Sequence, residues 1–171
     1  MKVVACNGSP RGNGNTATLL NAVLDELRKE GMEIDWGEDL GWEQEKILTK
    51  KFHHPFFVTH YPIGVKAFYH KPDPKRPQVT LSADLLAPEG YGEIIGGGQR
   101  IHDLNELLER MREEGLDPED YDWYIDLRKY GSVAHAGFGL GIERTVAWIC
   151  KLKHIRDSIS FPRLVRRKVY P

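Results

Sequence analysis

The 171-residue chain contains only two cysteines, Cys6 and Cys150, far apart in sequence. Two unclustered thiols argue against a disulfide scaffold and against a cysteine-ligated metal. Net charge is equally scarce. Lys and Arg number 24 against 25 Asp and Glu, giving a formal charge of −1 at pH 7. Bulk charge therefore offers no polyanion-binding surface, and any nucleic-acid contact has to be local. No apolar run is long enough to span a bilayer, and the opening "MKVVAC" is too short and wrongly flanked for a signal peptide. The expectation is a cytoplasmic protein that avoids membranes. Internal repeats and low-complexity tracts are missing too. A hydrophobic content of 40% and a charged content of 29% suit a globular chain able to bury a real core.

The first residues alternate two styles. Met1 to Cys6 is a β-branched apolar run, expected as a buried strand, and "NGSPRGNGN" is a Gly- and Asn-rich loop. Leu19, Leu20, Val23, Leu24 and Leu27 then recur at helical spacing, with Gly31 as the stop. This is a β-loop-α unit. After Trp36, histidines, aromatics and prolines become frequent. "HHPFFVTHYP" reads as a strand ending at Pro62. "VKAFYHKPDPKRP" reads as a short strand followed by a Pro-rich turn. "VTLSADLLAPEGYGEIIGGGQR" reads as two antiparallel strands joined by "APEGYG".

Helices follow. Asp103 and Glu106 form a capping box ahead of the stripe Leu104, Leu107, Leu108 and Met111, which Gly115 ends. "DPEDYDWYIDLRKYG" predicts a second helix with Asp117 as cap, Pro118 at its first position and Gly131 at its end. "AHAGFGLG" predicts a strand with one bare face, and "IERTVAWICKL" a helix entered directly from it. The expected fold class is α+β: an antiparallel sheet with flanking helices, preceded by one β-loop-α unit. The expected division is residues 1–35 and 36–171.

Several residues carry chemistry in this pattern. Alternate glycines weaken a strand, so Gly137, Gly139 and Gly141 in "GFGLGIER" suggest close approach of a flat ligand. Arg144, just inside the following helix, could then meet a phosphate. A Gly-rich strand simply packed under a helix is the other reading. Asp84 and Glu93 lie inside apolar strands and need partners. A hard cation carried by phosphates is one such partner, and a structural salt bridge with Lys or Arg is another. Gly96 to Gly98 again suggest backbone approach, and Arg100 could read a carboxylate or carbonyl.

These stretches carry a resemblance. "YPIGVKAFYHKPDP", "ADLLAPEGYGEIIGGGQRIHDL" and "YDWYIDLRKYGSVAHAGFGLGIERTVAWICKLKHIRDSISFPR" resemble the C-terminal half of the catalytic domain of class II aminoacyl-tRNA synthetases, in the archaeal-type asparaginyl branch of the aspartate/asparagine subgroup. "GFGLGIER" is similar to that family's motif 3. The resemblance implies ATP, Mg2+ and asparagine or aspartate as ligands, with tRNA and a homodimer as partners. It implies that Arg144 holds the γ-phosphate and that Gly137, Gly139 and Gly141 form the floor beneath adenine and the amino acid. Asp84 and Glu93 would hold magnesium, and Arg100 the amino-acid side-chain oxygen. Lys66, Phe68, Tyr69 and His135 would lie around the amino-acid pocket. His70 stands where a methionine is common in the family, and Gly96 where some relatives place a metal-binding serine. Nothing in the 171 residues matches motif 1, motif 2 or the anticodon-binding barrel, so the resemblance implies incomplete amino-acid activation. An asparagine synthetase-like paralogue using aspartate and ammonia, and a non-catalytic remnant, are the neighbouring possibilities.

The opening stretch is similar to something else. "MKVVACNGSPRGNGNTATLLNAVLDELRKEGMEID" resembles the first unit of flavodoxin-like NADPH-dependent FMN reductases. There, positions equivalent to Ser9, Arg11, Asn13, Asn15 and Thr16 cradle the FMN phosphate. An ordinary tight turn before a capped helix is the other reading, and the later strands of that fold do not follow.

Overall fold

The computed structural model describes residues 38–165, together with Lys29 and Gly31. Gly31 adopts φ +73°, as a glycine closing a helix does. The expected strand and loop at residues 1–15, and the candidate FMN-phosphate residues within them and at Thr16, lie outside the described residues.

A short helix, α1 (Trp42–Thr49), opens the described part. Six strands follow among these residues, interrupted by helices: β1 (Phe56–Thr59), β2 (Pro72–Asp73), β3 (Arg76–Thr80), β4 (Ser82–Ala87), β5 (Gly92–Gln99) and β6 (Ala136–Leu140). Between β5 and β6 lie α2 (Leu104–Glu113), a 3-10 turn at Pro118–Tyr121 and α3 (Asp122–Lys129). Helix α4 (Ile142–Ile149) leaves the end of β6, and a second 3-10 turn covers Ile155–Ser158. The main sheet has the order β1-β4-β5-β6, every pair antiparallel. β2 and β3 form a separate hairpin. Among the described residues no helix is long and apolar enough to cross a membrane.

The expected antiparallel pair is β4 and β5, joined at Pro88 to Tyr91. Their register carries a bulge between Leu85 and Leu86: Asp84 faces Gly96, yet Leu86 faces Glu93. The extra residue on β5 changes which side chains share a face. Without it, Leu86 would oppose Ile94 and Glu93 would turn to the other face. With it, Glu93 joins Asp84.

Two expectations need correction. The strand expected at Val65 to His70 is a run of turns, closed by Val65 N–H to Pro62 O (3.0 Å) and His70 N–H to Ala67 O (3.0 Å). Its apolar residues look strand-like because Phe68 is buried, but the ring enters a helical core rather than a sheet face. The helix expected from Asp117 to Gly131 is split, the 3-10 turn Pro118–Tyr121 preceding α3. Asp117 does cap it, accepting from Glu119 N–H at 3.0 Å.

The core cluster comprises Phe68, Ile101, Leu107, Met111 and Ile125. Phe68 meets Tyr69, Tyr121 and Tyr124 edge-on at 5.2 to 6.0 Å between ring centres, a geometry that adds to simple burial. Arg128 ties α3 to the segment after β5: Nε donates to Ile101 O at 3.1 Å, while Nη2 donates to Tyr124 Oη of the same helix at 2.8 Å. Asp103 caps α2 by accepting from Glu106 N–H at 2.9 Å. The Glu106 carboxylate pairs with Lys71, so it ties α2 to the segment 69–71. That segment is bonded in turn to the end of β5, through Lys71 N–H to Gln99 O (2.9 Å) and Ile101 N–H to Tyr69 O (3.0 Å).

Candidate active site

The register of β5 and β6 brings four glycines together. Gly96 pairs with Gly139 and Gly98 with Gly137. Paired residues share a face, so four glycines lie together on the face that carries Asp84. Phe138 points the other way, against Gly97. The glycines differ in what requires them. A Cβ on Gly98 would lie 2.8 Å from His70 Cδ2 and 2.9 Å from Leu81 O, and one on Gly137 would lie 3.2 Å from the Arg100 guanidinium. At Gly139 a Cβ would meet nothing within 4 Å, so that part of the patch is open to a flat ligand. Gly141 has left the sheet and stands at the N-cap of α4, so it is not part of this patch.

Beside the patch is a cavity of about 260 Å³, lined by Lys66, Tyr69, His70, Asp84, Gly96, Gly97 and Arg100 together with Val65 and Ala67. Asp84 is 2% exposed. Its Oδ2 accepts from Lys66 Nζ at 2.5 Å and its Oδ1 from Gly97 N–H at 3.2 Å. The salt-bridge reading of Asp84 is thus the geometry observed. The Lys66 ammonium also lies 3.9 Å from the centre of the Tyr61 ring. Burial, and after it the Asp84 charge, pushes the Tyr61 phenol far up, so it stays protonated. The Arg100 guanidinium lies 4.4 Å above the Tyr69 ring and donates to Gly137 O at 3.4 Å. Its Nη1 is buried without a partner. An orphaned guanidinium nitrogen at a cavity wall is a donor waiting for an acceptor. His70 is buried, and burial, then the Arg100 charge, lowers its basicity. It is therefore a neutral wall.

Glu93 and Arg144 sit beyond Gly96, outside that cavity's lining. A Cβ on Gly96 would lie 2.6 Å from Glu93 Oε1 and 3.5 Å from Asp84 Oδ1, so both carboxylates converge over this glycine. Burial, and then the Asp84 charge, raises the Glu93 pKa. Arg144 Nη1 donates to Glu93 O at 2.8 Å. Two carboxylates that disfavour each other's charge are a donor set suited to a hard cation. Among the described residues no group of three or more His, Cys, Asp or Glu could enclose a metal. A magnesium ion fits here only as one that brings further oxygens, which is how magnesium accompanies nucleotide phosphates.

The structure thus brings Lys66, Tyr69, Asp84 and Arg100 to one cavity, with Gly137, Gly139 and Glu93 adjoining it. Besides Gly141, it separates two others. Phe68 is in the core, and the His135 side chain is exposed, its Nδ1 2.8 Å from Val133 O. Tyr61, His70 and Glu45 were not singled out as site residues by the pattern. His70 shows itself in sequence as an ionisable group in an aromatic run. Glu45 lies in α1, a helix to which the pattern assigned nothing.

The comparisons give the family. The model of class II tRNA synthetases (D, K and N) matches residues 20–165, and the chain belongs to that family. The asparagine–tRNA ligase of Thermococcus gammatolerans is 57% identical over 165 residues, covering 90% of this chain and 38% of that protein. That of Symbiobacterium thermophilum is 60% identical over 155 residues, covering 89% and 36%. The asparaginyl-tRNA synthetase of Pyrococcus horikoshii, solved in complex with asparaginyl-adenylate, superposes with a TM-score of 0.81 at 56% identity, covering 88% of this chain and 35% of that one. The chain therefore spans little more than a third of the length of these relatives. The family match starts inside the segment that resembles a flavodoxin-like unit, and the comparisons do not support that second resemblance.

Proposed function

We propose that this chain forms the amino-acid and ATP-phosphate side of an asparaginyl-tRNA synthetase catalytic core. The reaction is adenylate formation: the carboxylate oxygen of asparagine or aspartate attacks the α-phosphorus of ATP, the bond to the β-phosphate oxygen breaks, and pyrophosphate leaves with the electron pair. Transfer of the activated amino acid to tRNA belongs to the same reading. The observation that carries it is Arg100, whose Nη1 is buried without a partner at the cavity wall. A bound side-chain oxygen would satisfy it, and the Tyr69 face beneath keeps the guanidinium in place. The relatives named asparagine–tRNA ligase favour this reading over one using aspartate and ammonia.

No protein nucleophile is required. Catalysis then consists of positioning and charge neutralisation. The open space over Gly139 accepts a flat group at van der Waals distance. Arg144 holds a terminal phosphate through its remaining N–H donors while Nη1 keeps its bond to Glu93 O. Asp84 and Glu93 would hold magnesium, which supplies positive charge to the phosphates. Each Asp84 oxygen has two lone pairs, so its bonds to Lys66 and Gly97 leave acceptor capacity.

The test is ligand-dependent thermal stabilisation and calorimetry of the full chain with asparagine, aspartate and MgATP. Asparagine or aspartate should raise the melting temperature, and Arg100→Ala should abolish that rise. Equal response of wild type and Arg100→Ala to both amino acids would sink the proposal.

A further inference from the structure

The main chain at Glu93 is held by side chains from two distant elements. β6 pairs with β5 only from Ile95 onward, with Leu140 opposite Ile95, and Gly141 then turns into α4. The last main-chain bond between them is Gly141 N–H to Ile94 O at 2.9 Å, and residues 92 and 93 run past it. Across this stretch the Glu93 N–H donates to Glu45 Oε2 at 3.0 Å, while its C=O accepts from Arg144 Nη1 at 2.8 Å. One peptide segment is gripped on its donor side by an anion and on its acceptor side by a cation. Both bonds are charge-assisted and so stronger than an ordinary strand contact.

Glu45 is 8% exposed and sits on the face of α1 that also buries Leu48 and Thr49. An apolar residue would suit that stripe better, and a buried carboxylate there needs a reason. Burial, and next the Glu93 charge, raises its pKa, while the Glu93 N–H and the Arg144 charge oppose that rise. Space is reserved for it: a Cβ on Gly92 would lie 2.8 Å from Glu45 Oε2. Yet Glu45 is not among the residues lining the cavity.

We infer that Glu45 is a positioning residue: with Arg144 it holds the bulged Glu93 main chain so that the Glu93 carboxylate faces Asp84 over Gly96. The inference rests on the reading of Glu93 as a magnesium ligand. Glu45 acts only through Glu93. Partners that orient a ligand without touching the metal commonly change metal affinity 10- to 100-fold when lost.

The experiment uses the full chain and two readouts. MgATP affinity is measured by calorimetry for wild type, Glu93→Gln, Glu45→Ala and Glu45→Gln. Exchange of the Glu93 backbone amide is followed by NMR. Glu45→Ala should weaken MgATP by about tenfold and speed exchange at Glu93. Glu45→Gln keeps an oxygen that accepts from the Glu93 N–H, so it should restore both to within about twofold of wild type. If Glu45→Ala does not fold, Glu45→Asp carries the comparison, keeping the charge but withdrawing it by one methylene. A folded Glu45→Ala that binds MgATP like wild type, while Glu93→Gln is weakened, overturns the inference and leaves the reading of Glu93 standing. Loss in Glu45→Gln equal to that in Glu45→Ala also overturns it, because charge and not position would then matter. If Glu93→Gln binds MgATP as wild type does, the reading of Glu93 fails and the inference falls with it.

Discussion

Replacing Lys66 by Met tests the cavity wall most directly. The substitution removes the ammonium and keeps a side chain of similar length. It strands Asp84, which is 2% exposed and would keep the Gly97 N–H at 3.2 Å and the Tyr61 hydroxyl but no cation. Removing one partner of a buried ion pair costs about 3–5 kcal/mol. Lys66 itself keeps 17% of its side-chain exposure, which points to the lower end, about 3 kcal/mol. Loss of the cation over Tyr61 adds about 1 kcal/mol. A loss of about 4 kcal/mol would lower the melting temperature by about 8–16 °C for a chain of this size. Urea unfolding at neutral pH, with calorimetry alongside, measures it. A second substitution, Asp84→Asn, should recover part of the loss in the Lys66→Met background, because the stranded charge disappears. A cost below about 1 kcal/mol, the value of an exposed pair, would refute the reasoning. It would mean that water reaches Asp84 and that the wall of the cavity is wet.

Two further outcomes follow from the same geometry. Gly98→Ala should destabilise the chain by about 1–3 kcal/mol in urea unfolding, because its Cβ would lie 2.9 Å from Leu81 O and the Ser82 Cα, backbone that cannot step aside; Gly139→Ala, with open space around it, is the control that should cost little. His70 is held neutral by burial and by the nearby Arg100, so its folded-state pKa lies below the ordinary value. The unfolded chain then binds the extra proton first. The resulting contribution to stability is present above the unfolded pKa, near 6.5, and is lost as pH falls from there toward the lowered folded value. Unfolding free energies measured across that window should slope for wild type and slope less for His70→Met, the remainder including His60, which burial lowers in the same direction.

Some of this protein is legible in its residues. The alternation and glycine turns around Ser82–Ala87 and Gly92–Gln99 predict an antiparallel pair, and the structure has it. Asp103, Gly115 and Asp117 mark helix ends because capping is local chemistry, decided within three or four residues. The glycines and the arginine of "GFGLGIER", with Asp84, Glu93 and Arg100, raise the expectation of a phosphate and carboxylate site, and the structure sets Asp84, Glu93 and Arg100 close together. Phe68 misled, since an aromatic ring in a short run looks the same in a ligand pocket and in a helical core.

The sequence by itself determined which chemical groups are available: carboxylates, guanidinium groups and strands too rich in glycine to be ordinary. Only the tertiary structure decided which of them meet. A one-residue bulge turns Glu93 onto the face of Asp84, and no local propensity encodes it, because strand register depends on both strands at once. The pairing of Gly96 with Gly139 and Gly98 with Gly137 joins segments some forty residues apart into one glycine patch, open at Gly139 and covered by side chains elsewhere. Glu45 reaches Glu93 across a gap of 48 residues, carried there by a helix whose sequence advertises nothing but a charged surface. Contacts of that kind belong to packing, where the burial of a distant face fixes what a side chain can touch.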